Sequence, residues 1–402
     1  MKHRLLSPLV LFGAPALFLV AGCKLSSSAA DAGSGSSDAG IDGATGGPPQ
    51  TINCDDEVIP VAFTHTKGKA VDYVVTCNLP IERATTVGPG TVIAFQPNSS
   101  FQVRAGGSLK AVGTKDEPIL LQPEKSGASW VGVYFFTTSK ENALEFVRIK
   151  SAGEKQPNLQ ASVLVGASSY ADGTVAIRDC VFEGSAGPGL YVGEVGTLMA
   201  FERTTIEGSA EAPIVTTAHN VGALASAGNK LTGNKVDRVE VVGMIGKAVI
   251  KDQTWAKLDV PYFVKNHVGY GGVQTIAPGV TILMEADAAL QADATNGKLV
   301  AVGTAAEPIT IRSFDDMPGK WAGLMLGHDG NEFANCRVAG GGTRGVTESK
   351  GNILAYGAAV SIRDCVIEGS ASWGVFNAGG SVKLGANVTF KNNAKGDVGG
   401  DP

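Results

Sequence analysis

The chain repeats itself at long range, and that self-similarity restricts its fold more than any other feature. Tyr73-Val74-Val75 returns as Tyr262-Phe263-Val264, and Val87-Gly88-Pro89-Gly90 as Ile276-Ala277-Pro278-Gly279. Ala111-Val112-Gly113-Thr114 returns as Ala301-Val302-Gly303-Thr304, and Trp130-Val131-Gly132 as Trp321-Ala322-Gly323. Ile177-Arg178-Asp179-Cys180 with Glu183-Gly184-Ser185 returns as Ile362-Arg363-Asp364-Cys365 with Glu368-Gly369-Ser370. The offsets lie between 185 and 191 residues and keep one order along the chain. Two tandem units with small loop changes account for this.

A finer period runs inside each unit. Leu144, Val147 and Ile149 meet Ile177, Cys180 and Phe182 at an offset of 33, and these meet Phe201, Thr204 and Ile206 at 24. Phe333, Cys336 and Val338 meet Ile362, Cys365 and Ile367 at 29. Apolar residues alternate inside each repeat, the period-2 pattern of a strand with one buried face. Alternation places Ile177, Cys180 and Phe182 inside and Arg178 and Glu183 outside, with Asp179 at a corner between two faces. Repeats of this length that cannot bury their apolar side alone predict the coils of a solenoid. Glycine (54 of 402 residues) is about twice its ordinary share, and charges are scarce at 18 %.

The repeats Ile276-x-Pro-Gly-Val, Gly303-Thr-x-x-Glu-Pro-Ile and Trp321-x-Gly resemble those of bacterial parallel β-helix proteins of the pectin-lyase-like superfamily. The likeness covers about residues 72–393. It implies an all-β fold, a right-handed parallel β-helix in two units, 72–254 and 255–402, after an amino-terminal cap at 51–71. It implies no particular chemistry, because that superfamily spans lyases, hydrolases, adhesins and scaffolds. The segment from Pro213 to Thr254 joins the units, and its Val236-Asp237-Arg238-Val239-Glu240-Val241 run predicts a continuing coil.

Residues 1–23 read as a lipoprotein signal peptide. Lys2, His3 and Arg4 form a basic stretch, Leu5 to Val20 a short apolar one, and Val20-Ala21-Gly22-Cys23 resembles a lipobox. The apolar run is below the ~20 residues a membrane span needs, and Pro8 and Pro15 break helix bonding. The resemblance implies diacylglycerol on Cys23, with the membrane as a partner through that lipid. Lys24 after it implies the outer membrane, with the face left open. Residues 24–50 are almost wholly Ser, Ala, Gly, Asp, Thr and Pro and predict a disordered tether.

Six cysteines are present. Cys54 and Cys77 lie before the first clear repeat, where a disulfide can close the cap or the thiols can stay free. Cys180, Cys336 and Cys365 fall in strand patterns without C-x-x-C spacing and read as buried thiols rather than metal ligands.

Chemistry is harder to find. Glu183 and Glu207 fall on adjacent coils, about 4.8 Å apart, and two carboxylates there can share calcium. Lys150 takes the same place one coil earlier, and Arg178 alternates in sign with Glu145 and Glu202, so cross-strand charge pairing is the simpler reading. Asp315-Asp316 lie in the loop before Trp321, a second candidate calcium ligand pair or a polar turn. Arg148-Ile149-Lys150 matches a short motif of polygalacturonases, but no Asn-x-Asp, Gly-Asp-Asp or Gly-His-Gly accompanies it. Gly340 to Gly345 satisfies G-x-G-x-x-G without a following helix pattern and reads as a turn. No catalytic residue is assigned and no cofactor is required. A formal charge of −5 provides no nucleic-acid footprint. The expected role is a rigid surface for glycan or protein binding, or for structure. The competing class is a lyase or hydrolase of acidic polysaccharide.

Overall fold

The computed structural model describes residues 46–401 apart from 57–58, 158, 169, 245–246, 293–295 and 344–349. The signal peptide, Cys23, most of the tether and the end of the Gly340–Gly345 run lie outside the described residues. The described chain is all-β, a parallel β-solenoid of about 13 turns. Strands one turn apart pair in parallel: Gly173–Arg178, Val181–Glu183 and Leu190–Val192 pair with Gly196–Glu202, Thr205–Glu207 and Ile214–Thr217. Among the described residues one 3-10 helix, Ala218–Leu224, interrupts the strands.

Interior columns form because in-register pairing superposes like positions. Val87, Ala111, Leu144, Ile177 and Phe201 stack in one column, and Ile149, Phe182 and Ile206 in another. All are essentially inaccessible to solvent. Ile177, Cys180 and Phe182 point inward as their alternation predicts, whereas Arg178 and Glu183 stay partly exposed. Trp130 and Trp321 are also fully buried, and their indole N–H groups donate to the Lys150 and Ala339 carbonyls. Neither ring can stack on a ligand.

The turns of the coil depend on single residues in the left-handed region. Asp179 has φ 53°, and Arg203, Asn335 and Asp364 repeat this conformation at the matching corner of other coils. Such a residue costs energy for most side chains but turns the chain from one face of the coil to the next within one step. A second corner carries Gly184 and Gly208, both at φ 68°, which explains the recurring Glu-Gly-Ser. Where loops leave the coil, buried asparagines replace missing ladder bonds. Asn142 accepts from Leu109 N–H at 3.0 Å and donates to the Thr174 carbonyl at 2.9 Å, joining three successive coils. Asn331 likewise accepts from Leu299 N–H and donates to the Ala359 carbonyl, Asn220 bonds Leu198 N–H and the Gly196 carbonyl of the preceding coil, and Asn352 bonds Gly341 N–H and the Glu368 carbonyl.

The two halves are stacked with their faces out of step. Tyr73–Val75 lies in a seven-stranded sheet that begins with Gln50–Ile52 and ends with Thr205–Glu207. Its counterpart in sequence, Tyr262–Lys265, instead pairs with Val239–Val242 in a different, longer sheet. Beyond Thr205–Glu207 the seven-stranded face continues as a bridge from Lys230 and a bond from Gly208 N–H to the Gly233 carbonyl. A new six-stranded face starts with His267–Tyr270 and runs to Gly396–Gly400. The face of Gly196–Glu202 is interrupted by the 3-10 helix, which packs between it and Gln253–Trp255. Among the described residues one face alone passes through the junction as an unbroken ladder of strands, from Asn78–Ile81 to Thr389–Lys391. The expected coil at Val236–Val241 is a strand of that face, Val239–Val242.

Cys54 and Cys77 are joined, with Cα atoms 5.9 Å apart. Cys336 and Cys365, expected as free thiols, are register partners on adjacent coils and are joined to each other, with Cα atoms 4.6 Å apart. Parallel pairing superposes like positions, and two inward cysteines one coil apart therefore meet. Cys180 stays free, and burial pushes its thiol up to about 12.

Two outcomes follow. Asn142→Ala orphans a buried N–H and a buried carbonyl and should lower stability by about 1–3 kcal/mol. A urea midpoint equal to that of the parent protein contradicts the bridging role. In the chain from Ala44 to Pro402, denaturation without reductant should expose one titratable thiol, Cys180, and with reductant all five cysteines. A count of three before reduction would show Cys336 and Cys365 unjoined.

Candidate functional site

Most of the charged positions singled out in the sequence resolve into pairs. Glu183 and Glu207 are register partners, as are Lys150 and Glu183, whose charged groups lie 3.8 Å apart. Arg203 grips Asp179 with two bonds of 2.7 Å, and these hold the Asp179 carboxyl below its usual range. Arg178 lies 3.5 Å from Glu202. Asp316 faces Arg337 at 3.3 Å and Arg312 at 3.9 Å, and Asp315 accepts from Met317 N–H. Glu368 accepts from Arg337 at 2.6 Å while sitting opposite Lys391 in register. Among the described residues no three His, Cys, Asp or Glu side chains converge to hold a metal ion. His65 and Asp72 form a dyad at 3.1 Å. Asp72 is spent on local structure, since it also accepts from Thr66 and Val92 N–H groups.

A different site emerges on the unbroken face. Its outward row runs Tyr134, Leu164, Tyr191, Val215, Glu240, Phe263, Leu283 and Arg312, one residue per coil. Outward positions of a half-exposed sheet are ordinarily polar, yet this row is mostly apolar. Near Tyr134 and Leu164 it is closed over by Leu159 and Ala161. Below them it opens as two depressions, of about 310 Å³ beside Tyr191 and about 350 Å³ beside Phe263. Glu240 borders the first, and its partners Arg238 and Lys265 line the second.

The centre of this groove is a fixed network. Arg238 donates to Glu240 Oε1 at 2.8 and 3.2 Å, and Lys265 Nζ donates to Oε2 at 3.2 Å. The Arg238 guanidinium lies 3.9 Å from the Phe263 ring centre and 4.9 Å from that of Phe314. Each cation–π contact contributes about 0.5–2 kcal/mol, more as water is excluded. Burial alone pushes the Glu240 carboxyl up, but its bonds with Arg238 and Lys265 outweigh that and hold it below its ordinary value. The acid is therefore ionised at neutral pH and its charge is already matched. Phe314 is 49 % exposed and forms one wall of the lower depression.

None of Tyr191, Arg238, Phe263, Lys265 or Phe314 stood out as a site residue in the sequence. The one available signal was the Val236–Val241 run, where Arg238 and Glu240 occupy alternate outward positions of a strand. Phe314 lies in the same loop as Asp315 and Asp316, and of that loop it is the aromatic residue that meets the groove.

Glu240→Gln tests the network. A carboxyl with a depressed folded value adds stability above its unfolded value, about 4.3, and loses it as pH falls through the folded value. The variant should therefore be less stable than the parent by about 1–3 kcal/mol at pH 7, with the gap closing as pH drops below about 4. A gap that does not change with pH contradicts the ion-paired assignment.

No family model, no curated protein and no solved structure matches this chain.

Proposed function

We propose that this is a lipid-anchored protein of the cell envelope, held at the outer membrane through Cys23. Its solenoid, a right-handed parallel β-helix of the pectin-lyase-like kind, presents the groove as a rigid binding face for glycan or protein. The groove on the unbroken face carries this reading. It is concave, its floor is apolar, and its central charged groups, Arg238, Glu240 and Lys265, converge on one another instead of on an open position where bond-breaking chemistry needs them. Right-handedness follows from the general rule for crossovers between parallel strands of one sheet. Anchoring is supported by the basic, apolar and lipobox-like order of residues 2–23.

Two measurements test the reading. Metabolic labelling with a fatty acid should mark the full chain and be lost in Cys23→Ser; labelling of both, or of neither, overturns the anchor. Incubation of the chain from Ala44 to Pro402 with acidic polysaccharides, with and without calcium, should leave polymer length unchanged. Depolymerisation would falsify the non-catalytic role and favour a polysaccharide lyase or hydrolase.

A further inference from the structure

The floor and rim of the groove discriminate between classes of occupant. We infer that it takes an uncharged chain of sugar rings, and this rests on the groove being a binding face at all. Three cations border the centre and the lower depression, Arg238, Lys265 and Lys320, and three acids match them, Glu240, Glu285 and Asp315. A polyanion carries a charge at each repeat and needs a cation for each. Here Arg238 and Lys265 are already bonded to Glu240, and both Phe263 and Phe314 lie against the guanidinium. Recognition of a ligand carboxylate by arginine relies on a free, planar fork. The Nε and Nη2 edge of Arg238 is occupied.

Apolar floor positions fit the faces of sugar rings. Tyr191 and Val215 above Glu240 offer carbon surface at one step per strand, about 4.8 Å, close to the repeat of an extended hexose chain, and below it the edge of the mostly covered Phe263 lines the depression. The half-exposed Phe314 supplies a ring beside that path. The rim carboxylates of Glu285 and Asp315 and the Lys320 ammonium can bond hydroxyl groups without meeting a net charge.

A peptide is served less well. An extended peptide gains much of its affinity by adding to an open sheet edge. The strands under this groove have neighbours on both sides, so their backbone groups are already paired.

Isothermal titration of the Ala44–Pro402 chain with cellohexaose, xylohexaose, mannohexaose and hexagalacturonate tests this inference. At least one neutral hexaose should bind. Its affinity should change less than about twofold between about 0.05 and 0.5 M salt and fall at least about tenfold in Phe314→Ala. Tyr170→Ala, which removes an exposed aromatic ring that does not line either depression, should bind as the parent does. Binding of hexagalacturonate alone, weakened by salt and by Phe314→Ala, overturns the neutral class while leaving the groove a binding face. Neutral binding untouched by Phe314→Ala overturns the placement. Binding of no hexaose overturns the glycan occupant, and a peptide or protein ligand then becomes the reading of the groove.

Discussion

Each coil hands its backbone N–H and C=O groups to the next, and almost nothing in this molecule is independent of that parallel ladder. A parallel pair superposes like positions, so apolar residues form columns, corners stack on corners, and two cysteines one coil apart meet. The ladder also dictates what an interruption requires. A loop that leaves the coil strands buried polar groups, whose loss of partners costs about 1–3 kcal/mol each. Asn142, Asn220, Asn331 and Asn352 answer that requirement with side-chain amides that imitate a strand.

The junction between the halves has a larger consequence than its length suggests. Strands that match in sequence sit on different faces before and after it, so one lateral sheet stops and another starts. The longest face is the one that passes through unbroken. Its outward row is apolar on both sides of the junction, and the charged trio of Arg238, Glu240 and Lys265 sits at the crossing. The groove is therefore made from both halves together.

Much of the solenoid was legible because its cause is periodic. Alternation at Ile177, Cys180 and Phe182 reports an inward face wherever those residues occur, and a corner at Asp179 accompanies the one-residue slip in that alternation between Ile177 and Cys180. The charge ladders were legible for the same reason, since Lys150, Glu183 and Glu207 occupy one position in three coils. The groove was not, because its row of one residue per coil carries no repeated residue type and its other walls come from outside the repeats. Arg238 and Glu240 come from the joining segment, Phe263 from a repeat, and Phe314 from a loop that no repeat constrains. Their meeting depends on which face continues through the junction, and the repeat offsets are silent on that. Trp130 and Trp321 illustrate the converse: their repetition marked them, and burial removed them from any role at the surface.

Continuity of the long face through the junction is the claim on which the groove depends, and a distance measures it directly. Gln102 and Arg312 lie in one outward row, eight strand steps apart. At about 4.8 Å per step the separation along the sheet is roughly 38 Å. Spin labels on Gln102→Cys and Arg312→Cys, read by double electron–electron resonance, should give one narrow distribution near that value, widened by the label tethers. A broad distribution, or one centred well below about 30 Å, would contradict a single unbroken face.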